Sequence, residues 1–95
     1  MNALGFIEMP NLTDAVEALD IMLKTANIRF VAWEKKLGGR LVTTIVEGEV
    51  AAVTEAVEAA EHGNCGRIVA SAVIANPHAE TWKMVQISAA RYKAD

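Results

Sequence analysis

The sequence predicts an α+β fold. A four-stranded antiparallel sheet carries two helices on one face, and a third helix closes the chain. Three observations support this. Apolar periodicities of helical and strand type alternate in the order β-α-β-β-α-β-α. Capping residues bound the helical stretches. A Gly38-Gly39 pair lies between the second and third strands, where a hairpin needs permissive backbone. The first six elements follow the split β-α-β (βαββαβ) plan, with both main helices on one sheet face. The other face is left for a ligand, a partner or the third helix.

Ala3 to Met9 reads as a short strand, with Leu4 and Phe6 turned inward and Ile7 a further candidate. Pro10-Asn11 stops it. Asn11 is a suitable N-cap, and Asp14 places a carboxylate in the first turn, where the helix dipole favours it. Leu12, Val16, Leu19, Leu23 and Ala26, with Ala15 and Met22, recur at helical spacing and are expected to face the core. Ile28 to Glu34 reads as a strand, with Ile28, Phe30 and Ala32 alternating against Arg29, Val31 and Trp33. Leu41 to Val46 is the returning strand of the hairpin, ended by Glu47-Gly48. Glu49 to Glu61 is a second helix with Val50, Val53, Val57 and Ala60 on one side, and Gly63 is expected to cap it in the left-handed region. Arg67 to Ala75 is almost continuously apolar and is expected to be a central strand, covered on at least one side. Asn76-Pro77 reads as an N-cap followed by Pro at the first helical position. The third helix then presents Ala79, Trp82, Val85 and Ala89 on one stripe, and is expected to fray near Lys93-Ala94-Asp95.

Ninety-five residues suit one domain with one modest core. A hydrophobic fraction of 53% is more than so small a globule hides from water, which points to self-association. Twelve acids against nine bases give a net charge of −3, which argues against a general nucleic-acid-binding surface. The one cysteine, Cys65, excludes an internal disulfide and fits a reducing cytoplasm. The N-terminus lacks a signal-peptide pattern, and no apolar run approaches the roughly 20 residues that span a bilayer. A cytoplasmic protein without a membrane segment is therefore expected.

Residue types that carry chemistry are sparse. His62 and His78 are the only histidines, and no spacing of metal ligands includes them, so neither a metal nor a cofactor is expected. No base has a recognisable spacing to Cys65. Glu55, Glu58 and Glu61 read as a solvated helix face. Lys24 suits the negative end of the first helix's dipole. Gly38-Gly39-Arg40, read alone, is a tight turn. Trp33 and Trp82 fall on periodic stripes and suit a core or an interface.

Several segments taken in order resemble the hexamer-forming shell proteins of bacterial microcompartments. Ala3-Leu4-Gly5-Phe6-Ile7-Glu8 is similar to that family's opening strand. Asp20-Ile21-Met22-Leu23-Lys24-Thr25-Ala26-Asn27 is similar to its Asp-Ala-Met-Val-Lys-x-Ala-Asn helix end. Leu41-Val42-Thr43 with Glu47-Gly48-Glu49-Val50 is similar to its Leu-Val-Thr and Arg-Gly-Asp-Val pair, and Pro77-His78 to its Arg-Pro-His turn. The resemblance runs from about residue 3 to 85. The loop Glu34 to Leu41 is one residue longer than the family's Glu-Lys-Ile-Gly-Ser-Gly-Leu, and Asn76 stands where many members carry Arg.

The resemblance implies a ferredoxin-like shell domain over 1–95, with a core over about 3–86 and a C-terminal tail 87–95. It implies a homo-hexamer that tiles edge to edge with neighbouring hexamers and other shell proteins around encapsulated enzymes. It places Leu37, Gly38, Gly39 and Arg40 at a central pore for small polar or anionic metabolites. It places Lys24, Asn27, Asn76 and His78 at the edge between hexamers, His78 with a structural hydrogen bond. No catalytic residue is implied. The competing class is a ferredoxin-like module that senses a small molecule at a subunit interface. A small enzyme using His78 or Cys65 lacks the accompanying base, orienter or oxyanion pattern.

Overall fold

The computed structural model describes residues 3–35 and 41–91. The elements are β1 (Ala3–Met9), α1 (Leu12–Thr25), β2 (Arg29–Lys35), β3 (Val42–Gly48), α2 (Val50–His62), β4 (Ala70–Ala75) and α3 (Ala79–Arg91). The strands form one antiparallel sheet in the order β2-β3-β1-β4, as the split β-α-β plan requires.

Strand alternation divides the core in two. Ala3, Ile7 and Met9 of β1, with Val42 and Val46 of β3, meet Ala15, Ala18, Leu19 and Met22 of α1 and Val53, Ala56, Val57 and Ala60 of α2. Leu4 and Ile45 point to the opposite face, where Val85 and Trp82 of α3 cover them beside Phe6 and Val31. The third helix thus occupies part of the face that the plan leaves open. β1 is covered on both sides, so Leu4 and Ile7 are both inward although they point oppositely. A bulge between Phe30 and Ala32 interrupts the β2 alternation. It lets Phe30 and Trp33 share the helix-side face, with ring centroids 4.9 Å apart.

Asn11 caps α1 as expected, its side chain accepting the Asp14 N–H at 2.8 Å. Four expectations are corrected. β4 begins at Ala70 and is an edge strand, mostly exposed, because it pairs only with β1. Gly63 ends α2 in extended backbone (φ −80°), its N–H donating to the Ala60 carbonyl. Among the described residues the left-handed positions are Gly66 (φ 106°) and Asn76 (φ 48°). Asn76 is therefore no N-cap. His78 caps α3 instead, its Nδ1 accepting the Glu80 N–H at 3.0 Å and its carbonyl the Trp82 N–H at 3.0 Å. Lastly, the apolar stripe of α1 is only partly buried: Leu12 is 39% exposed, and Val16 and Leu23 are each 45% exposed.

Close packing of α2 on the sheet rests on Gly5. A Cβ there would lie 2.7 Å from Val53 Cγ1 and 3.1 Å from Val46 Cγ2, so only Gly admits this approach.

Candidate functional site: two ends of one sheet

The strand registers define two opposite ends of the domain. At one end Ala3 pairs with Gly48 and Ala75, and Arg29 pairs with Glu47. At the other, Met9 and Lys35 both pair with Val42, and Glu8 pairs with Ala70. Six residue steps of about 3.4 Å along β1 put the two ends roughly 20 Å apart.

The first end gathers all four residues expected at an edge. Lys24 stands in the last turn of α1, its Nζ 2.8 Å from Asp20 Oδ2, with both side chains largely exposed. Asn27 is exposed just before β2, its carbonyl backed by Gly48, where an added Cβ would approach to 3.3 Å. Asn76 is exposed directly after β4. Its left-handed backbone turns the chain so that Pro77 and His78 lead into α3. His78 is exposed too, and because its Nδ1 accepts a hydrogen bond, the neutral ring carries its proton on Nε2, available to a partner. Sequence spacing of more than fifty residues separates Lys24 from His78; the antiparallel register brings their segments to one end.

The second end is where the chain leaves β2 at Lys35 and re-enters β3 at Val42. Leu37, Gly38, Gly39 and Arg40 lie outside the described residues. Lys35 is exposed at this end.

Two of the recesses lined by described residues lie between the ends. One, of about 490 Å³, runs along α1 and is lined by Val16, Glu17, Asp20, Ile21, Asn64 and Cys65. The other, of about 190 Å³, lies on the sheet face beside α3 and includes Phe6, Glu8, Thr43 and Ala72. Neither brings a nucleophile to a base. The Cys65 thiol is buried and donates to the Ala60 carbonyl at 3.5 Å. Burial pushes its pKa up, the carboxylates of Glu17 and Asp14 add to this, and a backbone hydrogen bond only partly opposes them. That is the reverse of an activated thiolate. Among the described residues no group of three or more His, Cys, Asp or Glu could hold a metal ion. Nor is any helix among them long and apolar enough to cross a membrane.

Sequence reading missed the exposure of Leu12, Val16 and Leu23, because helical periodicity marks an apolar side without saying what covers it.

The BMC domain model matches residues 3–77. The microcompartment shell protein PduA of Citrobacter freundii is 45% identical over 85 residues, covering 87% of this chain and 90% of that one. The carboxysome shell protein CsoS1A of Hydrogenovibrio crunogenus is 45% identical over 82 residues, covering 82% and 83%. A crystal structure of a microcompartments protein from Desulfitobacterium hafniense superposes with a TM-score of 0.78 at 22% identity. It covers 93% of this chain, which spans about half the length of that protein, and the likeness shows a shared fold.

Proposed function

The chain belongs to the bacterial microcompartment shell-protein family, and from that premise we propose that it forms a cyclic homo-hexamer that tiles into the protein sheet enclosing a cytoplasmic microcompartment. The observation that carries this reading is the two-ended layout of the sheet. Lys24, Asn27, Asn76 and His78 share one end, while the β2–β3 connection leaves from the other. In a ring with strands directed along the radius, the first end becomes the outer rim and the second meets the sixfold axis. A rim that repeats six times can join rings into a layer, and an axis surrounded by six loops can form a pore.

The whole chain, 1–95, acts as one domain. Its role is geometric, with no catalytic residue and no cofactor; its partners are neighbouring hexamers, other shell proteins and the enclosed enzymes. The exposed apolar side chains of α1, α2 and β4 support assembly, because an isolated domain gains nothing by leaving them in water. A sensing module has no specific observation in its favour.

Arg40 gives the pore its sign. One Arg per subunit becomes a ring of six, and a narrow cationic ring concentrates small anions. Small polar or anionic metabolites cross it more readily than cations. Soaked with a small anion, crystals of the unsubstituted protein should take it up on the axis and Arg40→Glu crystals should not; equal occupancy in both removes the cationic-pore assignment.

Electron microscopy and sedimentation of the purified protein test the main reading. Hexamers at micromolar concentration and hexagonal sheets on concentration are expected. Mainly monomers or dimers in every buffer would overturn it.

A further inference from the structure

The two histidines stand at opposite kinds of helix end, and a backbone partner fixes the proton of each. His62 lies in the last turn of α2, with Nδ1 2.9 Å from the Glu58 carbonyl oxygen. A carbonyl only accepts, so Nδ1 donates and carries the proton. His78 precedes the first turn of α3, with Nδ1 3.0 Å from the Glu80 nitrogen. A backbone N–H only donates, so Nδ1 accepts and carries none. A second proton therefore acts on the two imidazoles in opposite ways. On His62 it enters at Nε2, leaves the bond to Glu58 in place, and sets a positive charge where the helix dipole favours it. On His78 it enters at Nδ1 itself. The acceptor becomes a donor facing another donor, at the positive end of the α3 dipole.

The His78 cap reaches into the packing. Its carbonyl accepts the Trp82 N–H at 3.0 Å, and Trp82 packs beside Leu4 and Ile45. On the sheet face that α3 covers, the row at this end is Arg29, Glu47, Leu4 and Ile74. Arg29 and Glu47 pair with each other, and β1 and β4 add no titratable side chain to that row. The Lys24–Asp20 pair ends α1, Glu49 precedes α2, and Glu80 lies in the first turn of α3. Glu49 and Glu80 are exposed, so their attraction for an imidazolium is weak through water. We propose that His78 is a proton-operated catch at the rim, a reading that rests on the tiling proposed above. Neutral, the imidazole holds the first turn of α3 and offers its Nε2–H to the neighbouring hexamer. Protonated, it releases the Glu80 N–H and adds a charge, repeated six times around the rim beside Lys24. Acidification through the histidine range, from about pH 8 to about pH 5.5, loosens the layer while hexamers persist. Asp and Glu titrate lower, near pH 4, and stay charged across that range.

The test compares the unsubstituted protein with His62→Gln and His78→Asn at about pH 8 and about pH 5.5. Hydrogen exchange of the Glu80 amide, corrected for the intrinsic effect of pH, reads the cap directly. In the unsubstituted protein and in His62→Gln its protection should fall by roughly 5- to 30-fold on acidification. In His78→Asn, whose side-chain oxygen caps without titrating, protection should not change with pH. Negative-stain microscopy reads the layer. The sheet area at low pH relative to high pH should fall in the first two proteins and stay level in His78→Asn. Glu80 protection that ignores pH in the unsubstituted protein, or that falls equally in His78→Asn, overturns the catch. Sheets that persist undiminished at low pH in the unsubstituted protein, or that shrink to the same degree in His78→Asn, overturn its link to the layer. Sheets absent at every pH would instead overturn the tiling reading, and the Glu80 amide would still decide the cap.

Discussion

In the proposed assembly, substitution of Lys24 separates folding from tiling. Its ammonium meets Asp20 at 2.8 Å with the two side chains 75% and 59% exposed. An exposed i,i+4 pair of this kind stabilises a helix by about 0.3–0.5 kcal/mol. Lys24→Ala loses that amount and regains a few tenths of a kcal/mol in helix propensity, so the net change is near zero. Lys24→Asp sets two carboxylates at i,i+4 and a negative charge in the last turn, where the dipole disfavours it by about 0.3–1 kcal/mol. The sum is about 1–2 kcal/mol per chain. For a domain of this size that lowers the melting temperature by roughly 4–16 °C. Folded hexamers should therefore survive both substitutions. Sheets should not, because each ring loses six rim cations, and Lys24→Asp replaces them with repulsion. Sedimentation velocity reads the hexamer and negative-stain microscopy reads the lattice. Undiminished sheets from Lys24→Asp would refute the rim assignment. Loss of hexamers at retained helix content would move Lys24 into the ring interface.

Three further outcomes follow from the packing. Gly5→Ala should lower the unfolding free energy by about 1–3 kcal/mol through overpacking against Val53, and Val53→Ala in the same chain should recover much of that loss in urea titrations at fixed protein concentration. Thr44 is fully buried and its hydroxyl has no hydrogen-bond partner among the described residues; Thr44→Val should stabilise the domain by about 1 kcal/mol in the same titration. Because the Cys65 thiol is held above its ordinary value when folded, the unfolded chain loses that proton first. Stability should be level below about pH 8 and fall as pH rises past the unfolded thiol's value near 8.5, and Cys65→Ala should flatten that decline.

Local chemistry made much of the fold legible. The Asn11 cap involves residues three apart, so sequence carries it directly. The alternation of helices and strands, and hence the split β-α-β plan, is equally local. What was not legible depends on distant pairing. The apolar run before Ala75 reads as a central strand, but β1 and β3 take the centre and leave β4 at the edge. Leu12, Val16 and Leu23 read as core because periodicity cannot distinguish a surface buried by its own chain from one awaiting another. At the turn into α3 the cap expected at Asn76 falls to His78: Asn tolerates the left-handed backbone at 48°, and the His ring accepts the Glu80 N–H in the first turn of α3. The four edge candidates were recognisable only through family likeness; their shared location follows from the strand registers.

The length of β1 has an electrostatic consequence. Its seven residues hold the rim and the β2–β3 connection roughly 20 Å apart, more than twice the Debye length of about 8 Å at physiological salt. A charge exchanged in the loop is therefore screened by ions before its field reaches Lys24. In the proposed assembly, substitutions in the loop segment would retune permeation while contacts at the Lys24 end, more than two screening lengths away, keep their energies. On that proposal, a shell made of many such subunits would be able to mix pores of opposite sign within a single unbroken layer.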